Sequence, residues 1–164
     1  MSVTHEDPIN FTKHVIYQFY KERNLKEVFN CLATDFTWIG PAKHEYMTDK
    51  EGLIDYFHKG KERIPSCIID FNTFTIEYTG DQNWLVLGSY DVRNANGNDM
   101  LVEVFQRCSF FIVADKDTLK VKHMHISNPF MEMTNEYYSQ EVPRHSYEYL
   151  QHKLEEKNKS HRNG

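Results

Sequence analysis

At 164 residues, with 40% hydrophobic and 26% charged side chains, the chain has the size and balance of one folded domain rather than a disordered segment. A net charge of −5 with no long basic stripe argues against binding a phosphate backbone, so nucleic acid is not an expected partner. The 11 Phe, 10 Tyr and 2 Trp must fill a deep core, line a cavity or cover an interface.

Residues 1–7 have neither a cationic start nor an apolar run, so no signal peptide is expected. No stretch approaches the ~20 apolar residues of a membrane span. A cytoplasmic protein with no membrane partner is the expectation. Asp7 followed by Pro8 reads as a cap and a first-turn proline. Phe11, Val15, Ile16, Phe19 and Tyr20 then recur at helical spacing. Asn24 interrupts, and Leu25, Val28, Phe29, Leu32 and Phe36 make a second stripe, which predicts two consecutive amphipathic helices. A short β-prone stretch over 36–41 ends on Gly40-Pro41. Thr48 and Glu51 have capping-box spacing and open a helix carrying Leu53, Ile54, Tyr56 and Phe57, which Pro65 ends.

From Cys67 the apolar period changes to two. Strands are predicted over 67–79, 84–93, 101–113 and 119–127, joined by three short connections rich in Gly, Asn and Asp. Helices first and an antiparallel meander after them give an α+β domain. Beyond Pro129, Tyr147, Leu150 and Leu154 return to helical spacing before a polar end. The division expected is a domain over 1–132 and a partly helical C-terminal extension over 133–164. Cys31, Cys67 and Cys108 are odd in number and lack CxxC spacing, so they read as reduced, buried cysteines. No metal or cofactor is expected.

This order of elements resembles the nuclear transport factor 2-like superfamily and, within it, the SnoaL-like domains. The resemblance is carried by residues 35–41 (Asp-Phe-Thr-Trp-Ile-Gly-Pro), by Arg107-Cys108-Ser109 and by residues 123–129 (His-Met-His-Ile-Ser-Asn-Pro). It implies a cystatin-like cone: N-terminal helices packed in the concave face of a strongly bent, mainly antiparallel sheet, with a pocket at the open end and a C-terminal helix. Similar domains include ketosteroid isomerases, polyketide cyclases, a kinase association domain and modules placed before bacterial signalling proteins. The resemblance also implies that Arg107 points inside and that Trp38 faces the cavity.

Strict alternation along the last strand puts Leu119, Val121, His123, His125 and Ser127 on one face and Lys120, Lys122, Met124 and Ile126 on the other. Because lysines belong in solvent, the odd-numbered face is expected to be concave, with His123, His125 and Ser127 on the pocket floor. Arg107 needs either an anionic ligand or an ion pair with Glu103, two positions earlier on the same face. Trp38, Tyr46 and Tyr56 would form an aromatic wall, or simply pack in the core.

These residues imply a non-enzymatic domain that binds a small organic or carboxylate ligand or serves association. The alternative is an isomerase-, cyclase- or dehydratase-type enzyme with His123 or His125 as base and Tyr46 or Arg107 as oxyanion donor. Val102, Val104, Cys108, Phe110, Ile112, Met124 and Ile126 would form an apolar convex face, which predicts a sheet-to-sheet homodimer.

Overall fold

The computed structural model describes residues 6–41, 45–60, 66–94 and 104–128. The chain divides into two units, Met1–Asn128 and Pro129–Gly164, and every described residue belongs to the first. The predicted C-terminal helix, Val102 and Glu103 lie outside the described residues.

Helix α1 spans Glu6–Tyr17, with Pro8 in the first turn, where the missing amide costs no bond. Its inner stripe buries Val15 and Ile16. One turn of π-helix follows at Gln18–Glu22 and closes on Arg23, whose left-handed φ of 53° turns the chain. Asn24 then caps α2, Leu25–Cys31, by accepting the Glu27 amide at 3.2 Å. The predicted break at Asn24 is therefore a cap.

The second stripe does not stay helical to Phe36. Strand β1, Leu32–Ile39, begins directly after Cys31, and Leu32, Phe36 and Trp38 are buried at strand parity. Strand β2 is Tyr46–Met47, and α3 is Lys50–Gly60. Asp49, not Thr48, caps α3: its Oδ1 accepts the Gly52 amide at 2.6 Å. Strands β3 (Cys67–Gly80), β4 (Asn83–Asn94), β5 (Val104–Asp115) and β6 (Thr118–Ser127) form the predicted antiparallel meander.

The sheet order is β2-β1-β6-β5-β4-β3. Its one parallel pairing, β1 with β6, brings Trp38 beside Met124 and Ile39 beside His125. The inner rows of the sheet and the buried stripes of the three helices share one core, the expected α+β arrangement. Gly88 belongs to this packing: a Cβ there would sit 2.3 Å from the Phe74 ring, which covers it from β3.

Two face assignments are reversed. In β5, Gln106, Cys108, Phe110 and Ile112 are buried, whereas Arg107 is exposed. In β6, Phe111 pairs with His123 but Ile112 pairs with Val121, so Lys122 is an extra residue with no partner on β5. This bulge flips the alternation that follows it. Val121 points inward before it, and Met124 and Ile126 point inward after it. His123, His125 and Ser127 therefore share the outer face with Phe111, Ser109 and Arg107, their cross-strand partners. The described residues of the proposed convex patch, Val104, Cys108, Phe110, Ile112, Met124 and Ile126, belong instead to the inner row; all but half-buried Val104 are buried.

Candidate functional site

Between the helices and the inner face of the sheet lies a cavity of about 690 Å³. Most of its wall is apolar. Ile16, Phe19, Val28, Phe57, Val92, Phe110, Met124 and Ile126 are among the residues that line it. The size and lining suit a small organic molecule.

Polar groups enter this wall at two places. The first joins the π turn to the sheet: the Tyr20 hydroxyl donates to Gln106 Oε1 at 2.8 Å, and the Tyr20 and Tyr90 rings lie 6.1 Å apart. Burial pushes the Tyr20 phenol up to about 12, opposed by its bond to Gln106. Burial likewise raises Tyr90, with Tyr20 adding to the shift, so both phenols stay neutral and can donate. The Tyr90 side chain is fully buried, and its hydroxyl, although close to Tyr20, makes no hydrogen bond of sound geometry.

The second polar place is the wall formed by β1 and α3. Trp38 lies 5.6 Å from the Tyr56 ring and 5.1 Å from the Phe57 ring. The Tyr56 hydroxyl donates to Glu45 Oε1 at 2.7 Å, and burial, then Glu45, pushes that phenol up to about 12. Trp38 is 4% exposed, and its Nε1–H has no acceptor among the described residues. Arg23 and Lys59 bring positive charge to the lining. The Arg23 guanidinium donates to the Phe19 carbonyl at 2.6 Å and packs over the Phe19 ring, and burial lowers its pKa.

Of the residues selected from sequence, Trp38 and Tyr56 line the cavity. Tyr46 is 70% exposed on β2 and is not in the lining. Arg107, His123, His125 and Ser127 lie on the other side of the sheet, for the reasons of parity and bulge given above. His123 is half-buried, and its Nδ1 is 2.7 Å from Thr37 Oγ1. Burial, then its neighbour His125, lowers its pKa. Asp35 pairs with Lys122, and Asp91 accepts from Asn72 at 2.8 Å.

Sequence reasoning missed Tyr20, Glu45, Tyr90 and Gln106. A signal existed for Gln106, the one amide in the otherwise apolar even-numbered row from Val104 to Ile112. A lone polar residue in a buried row marks a hydrogen bond inside.

Comparison with known proteins supports this fold. Solved structures that match include a nuclear transport factor 2-like protein of unknown function from Pseudomonas putida, at 12% identity and a TM-score of 0.66, covering 77% of this chain and 87% of that one. The beta subunit of a benzoate 1,2-dioxygenase from Burkholderia mallei matches at 14% identity and a TM-score of 0.65, over 86% and 97% of the two chains. A putative calcium/calmodulin-dependent protein kinase II association domain from Xanthomonas campestris matches at 16% identity and a TM-score of 0.62, over 77% and 89%. At these identities the likeness concerns the fold alone. No match was found among curated proteins. No helix among the described residues is long and apolar enough to cross a membrane. The family model of the SnoaL-like domain matches residues 9–131, and on that match the chain belongs to the SnoaL-like domain family.

Proposed function

We propose that this chain is a non-enzymatic binding domain whose cavity takes a small, largely apolar organic ligand carrying a hydrogen-bond acceptor such as a carbonyl or carboxylate. One observation carries the reading: Trp38 Nε1, on a residue lining the cavity, is buried without a hydrogen-bond partner among the described residues. An unmade buried hydrogen bond costs about 1–3 kcal/mol, and a ligand acceptor would recover part of it. Arg23 and Lys59 favour a carboxylate end over an amine. The role first given to Arg107 thus passes to Arg23, after the π turn, and Lys59 of α3.

The test is thermal unfolding against a panel of aromatic and alicyclic ketones and carboxylic acids, each with its fully reduced hydrocarbon analogue. A ligand at a hundred times its dissociation constant should stabilise the fold by about 2.7 kcal/mol. Equal stabilisation by the hydrocarbon analogues would exclude recognition of an acceptor.

A second reading keeps the enzyme alternative but changes its base. Neither His123 nor His125 lines the cavity, whereas Glu45 does, with the Tyr56 hydroxyl 2.7 Å from its carboxylate. A carboxylate held in place by a neutral phenol is a positioned base, as proton removal beside a carbonyl requires. Exchange of α-protons for deuterium in a bound ketone, lost in Glu45→Gln, separates this reading from simple binding.

The same proposal includes a homodimer through the outer face of the sheet. Leu85 pairs with Phe111 there, and Leu87 and Phe105 are 37% and 38% exposed. These residues replace the inward-facing set first expected. The likeness to an association domain also supports pairing.

A further inference from the structure

A second cluster of ligating groups lies outside the cavity, where α1 meets α2. His14 Nε2 of α1 is 3.2 Å from Glu27 Oε1 of α2. The Cys31 thiol, one helical turn after Glu27, points at the same carboxylate oxygen at 3.9 Å. All three ligating atoms lie within 4.8 Å of one another. None of the three residues lines the cavity.

From this geometry we infer a three-ligand site for a zinc-like divalent cation, made by His14, Glu27 and Cys31, with a fourth position open to water. Tetrahedral zinc places its nitrogen and oxygen ligands about 3.3 Å apart, and a sulfur about 3.6 Å from either. The His–Glu pair already has that spacing, and the sulfur must approach by roughly 1 Å at most. An imidazole, a carboxylate and a thiolate suit zinc and cobalt better than calcium or magnesium, which prefer oxygen.

The site has a polarity of access. His14 is exposed, Glu27 half-buried and Cys31 buried, so an ion would enter from solvent and settle against the thiol. Burial, with Glu27 adding to it, pushes the free thiol up to about 11, so the metal must displace its proton to water on binding. Lys120, whose ammonium donates to the Asn30 carbonyl, is a cation near this thiol. Thiolate and carboxylate together neutralise a divalent ion, so Lys120 does not have to leave.

The experiment is a cobalt(II) titration of the full chain, reduced and freed of metal with a chelator, followed by optical absorption. The expected result is a thiolate-to-cobalt charge-transfer band with the visible bands of four-coordinate cobalt, both erased by one equivalent of zinc. Cys31→Ser should remove the charge-transfer band, and His14→Gln, a change on an exposed side chain, should weaken cobalt binding at least tenfold. Cys108→Ser, at a buried thiol of β5 outside the cluster, should leave the spectrum unchanged. A wild-type protein with no thiolate band, or a band that survives in Cys31→Ser, overturns the site.

Discussion

The Tyr20 hydroxyl donates to Gln106 Oε1 across 2.8 Å, tying the π turn that follows α1 to the middle of the sheet. The two residues are 86 positions apart, and the bond fixes one end of the cavity. Tyr20→Phe should leave the Gln106 amide oxygen unpaired and buried, at a cost of about 1–3 kcal/mol in urea unfolding. Tyr90→Phe should behave differently. Its hydroxyl, although close to Tyr20, makes no bond of sound geometry among the described residues, so the free protein should lose little stability. A loss above about 1 kcal/mol in Tyr90→Phe would mean that the hydroxyl is satisfied in the free protein.

Gly88 tests the packing that holds β3 on β4. A methyl group there would press on the Phe74 ring, which must swing out of its place over the strand. Gly88→Ala should cost about 1–3 kcal/mol by chemical unfolding, and Gly88→Ala with Phe74→Leu should recover part of that loss. Additive losses in the double variant would contradict the contact.

The bulge at Lys122 determines which half of β6 faces the core. Deleting Lys122 would remove the extra residue and join Val121 to His123 in simple alternation, with Met124 and Ile126 still facing the core. The deletion should therefore keep most of the stability, whereas in a regular strand it would turn every later side chain to the other face. Lys122→Ala, which loses only its exposed pair with Asp35, should cost less than about 1 kcal/mol. Circular dichroism with urea unfolding measures both variants, and loss of most of the stability on deletion would argue against the bulge.

His123 gives the pH dependence. Its folded pKa lies below the ordinary 6.5, because burial and then His125 disfavour the imidazolium. Above 6.5 the ring is neutral in both folded and unfolded chains, and its contribution is constant. As pH falls through 6.5 toward the lower folded value, the unfolded chain takes up the proton first, so stability falls. Proton NMR should show His123 titrating below the ordinary imidazole value. Stability in His123→Gln should depend less on pH below 6.5. Thr37→Val, which removes the hydroxyl beside Nδ1, should move the His123 titration. An unchanged titration in that variant would show that the contact is not made.

The outer-face dimer is checked by light scattering. Wild-type protein at low micromolar concentration should run at twice the chain mass of 19.6 kDa, and Leu87→Lys with Phe105→Glu should run as a monomer. The double variant should fold, since both side chains are already more than a third exposed. A monomeric wild type removes the dimer from the proposal.

How far the fold could be read in advance depended on how local its signals are. Strands β3 to β6 were legible because two-residue alternation and Gly-, Asn- and Asp-rich connections lie within a few residues of each other. Leu32 and Phe36 misled because a separation of four fits a helix as well as a strand, and the parallel partner that settles the matter, β6, is about 90 residues away. The faces of β6 were unreadable for another reason. One unpaired residue, Lys122, reverses every side chain after it, and nothing in its identity announces a bulge. In the cavity, Trp38 and Tyr56 were legible as aromatics on apolar elements. Tyr20 and Tyr90 looked like ordinary core, and only the folded chain brings them together with Gln106.

The central claim is that a buried donor in the cavity recognises a ligand acceptor, and Trp38 tests it most directly. Trp38→Phe keeps an aromatic ring in the wall and deletes only the unpartnered Nε1–H and part of the indole surface. The measurement is isothermal calorimetry of wild-type and Trp38→Phe protein with the carbonyl or carboxylate compound that stabilises the wild type best, beside its hydrocarbon analogue. The account predicts that the substitution weakens the acceptor-bearing compound about tenfold or more and leaves the hydrocarbon nearly unchanged, which closes the difference between them. Equal weakening of both compounds, or none, would contradict it.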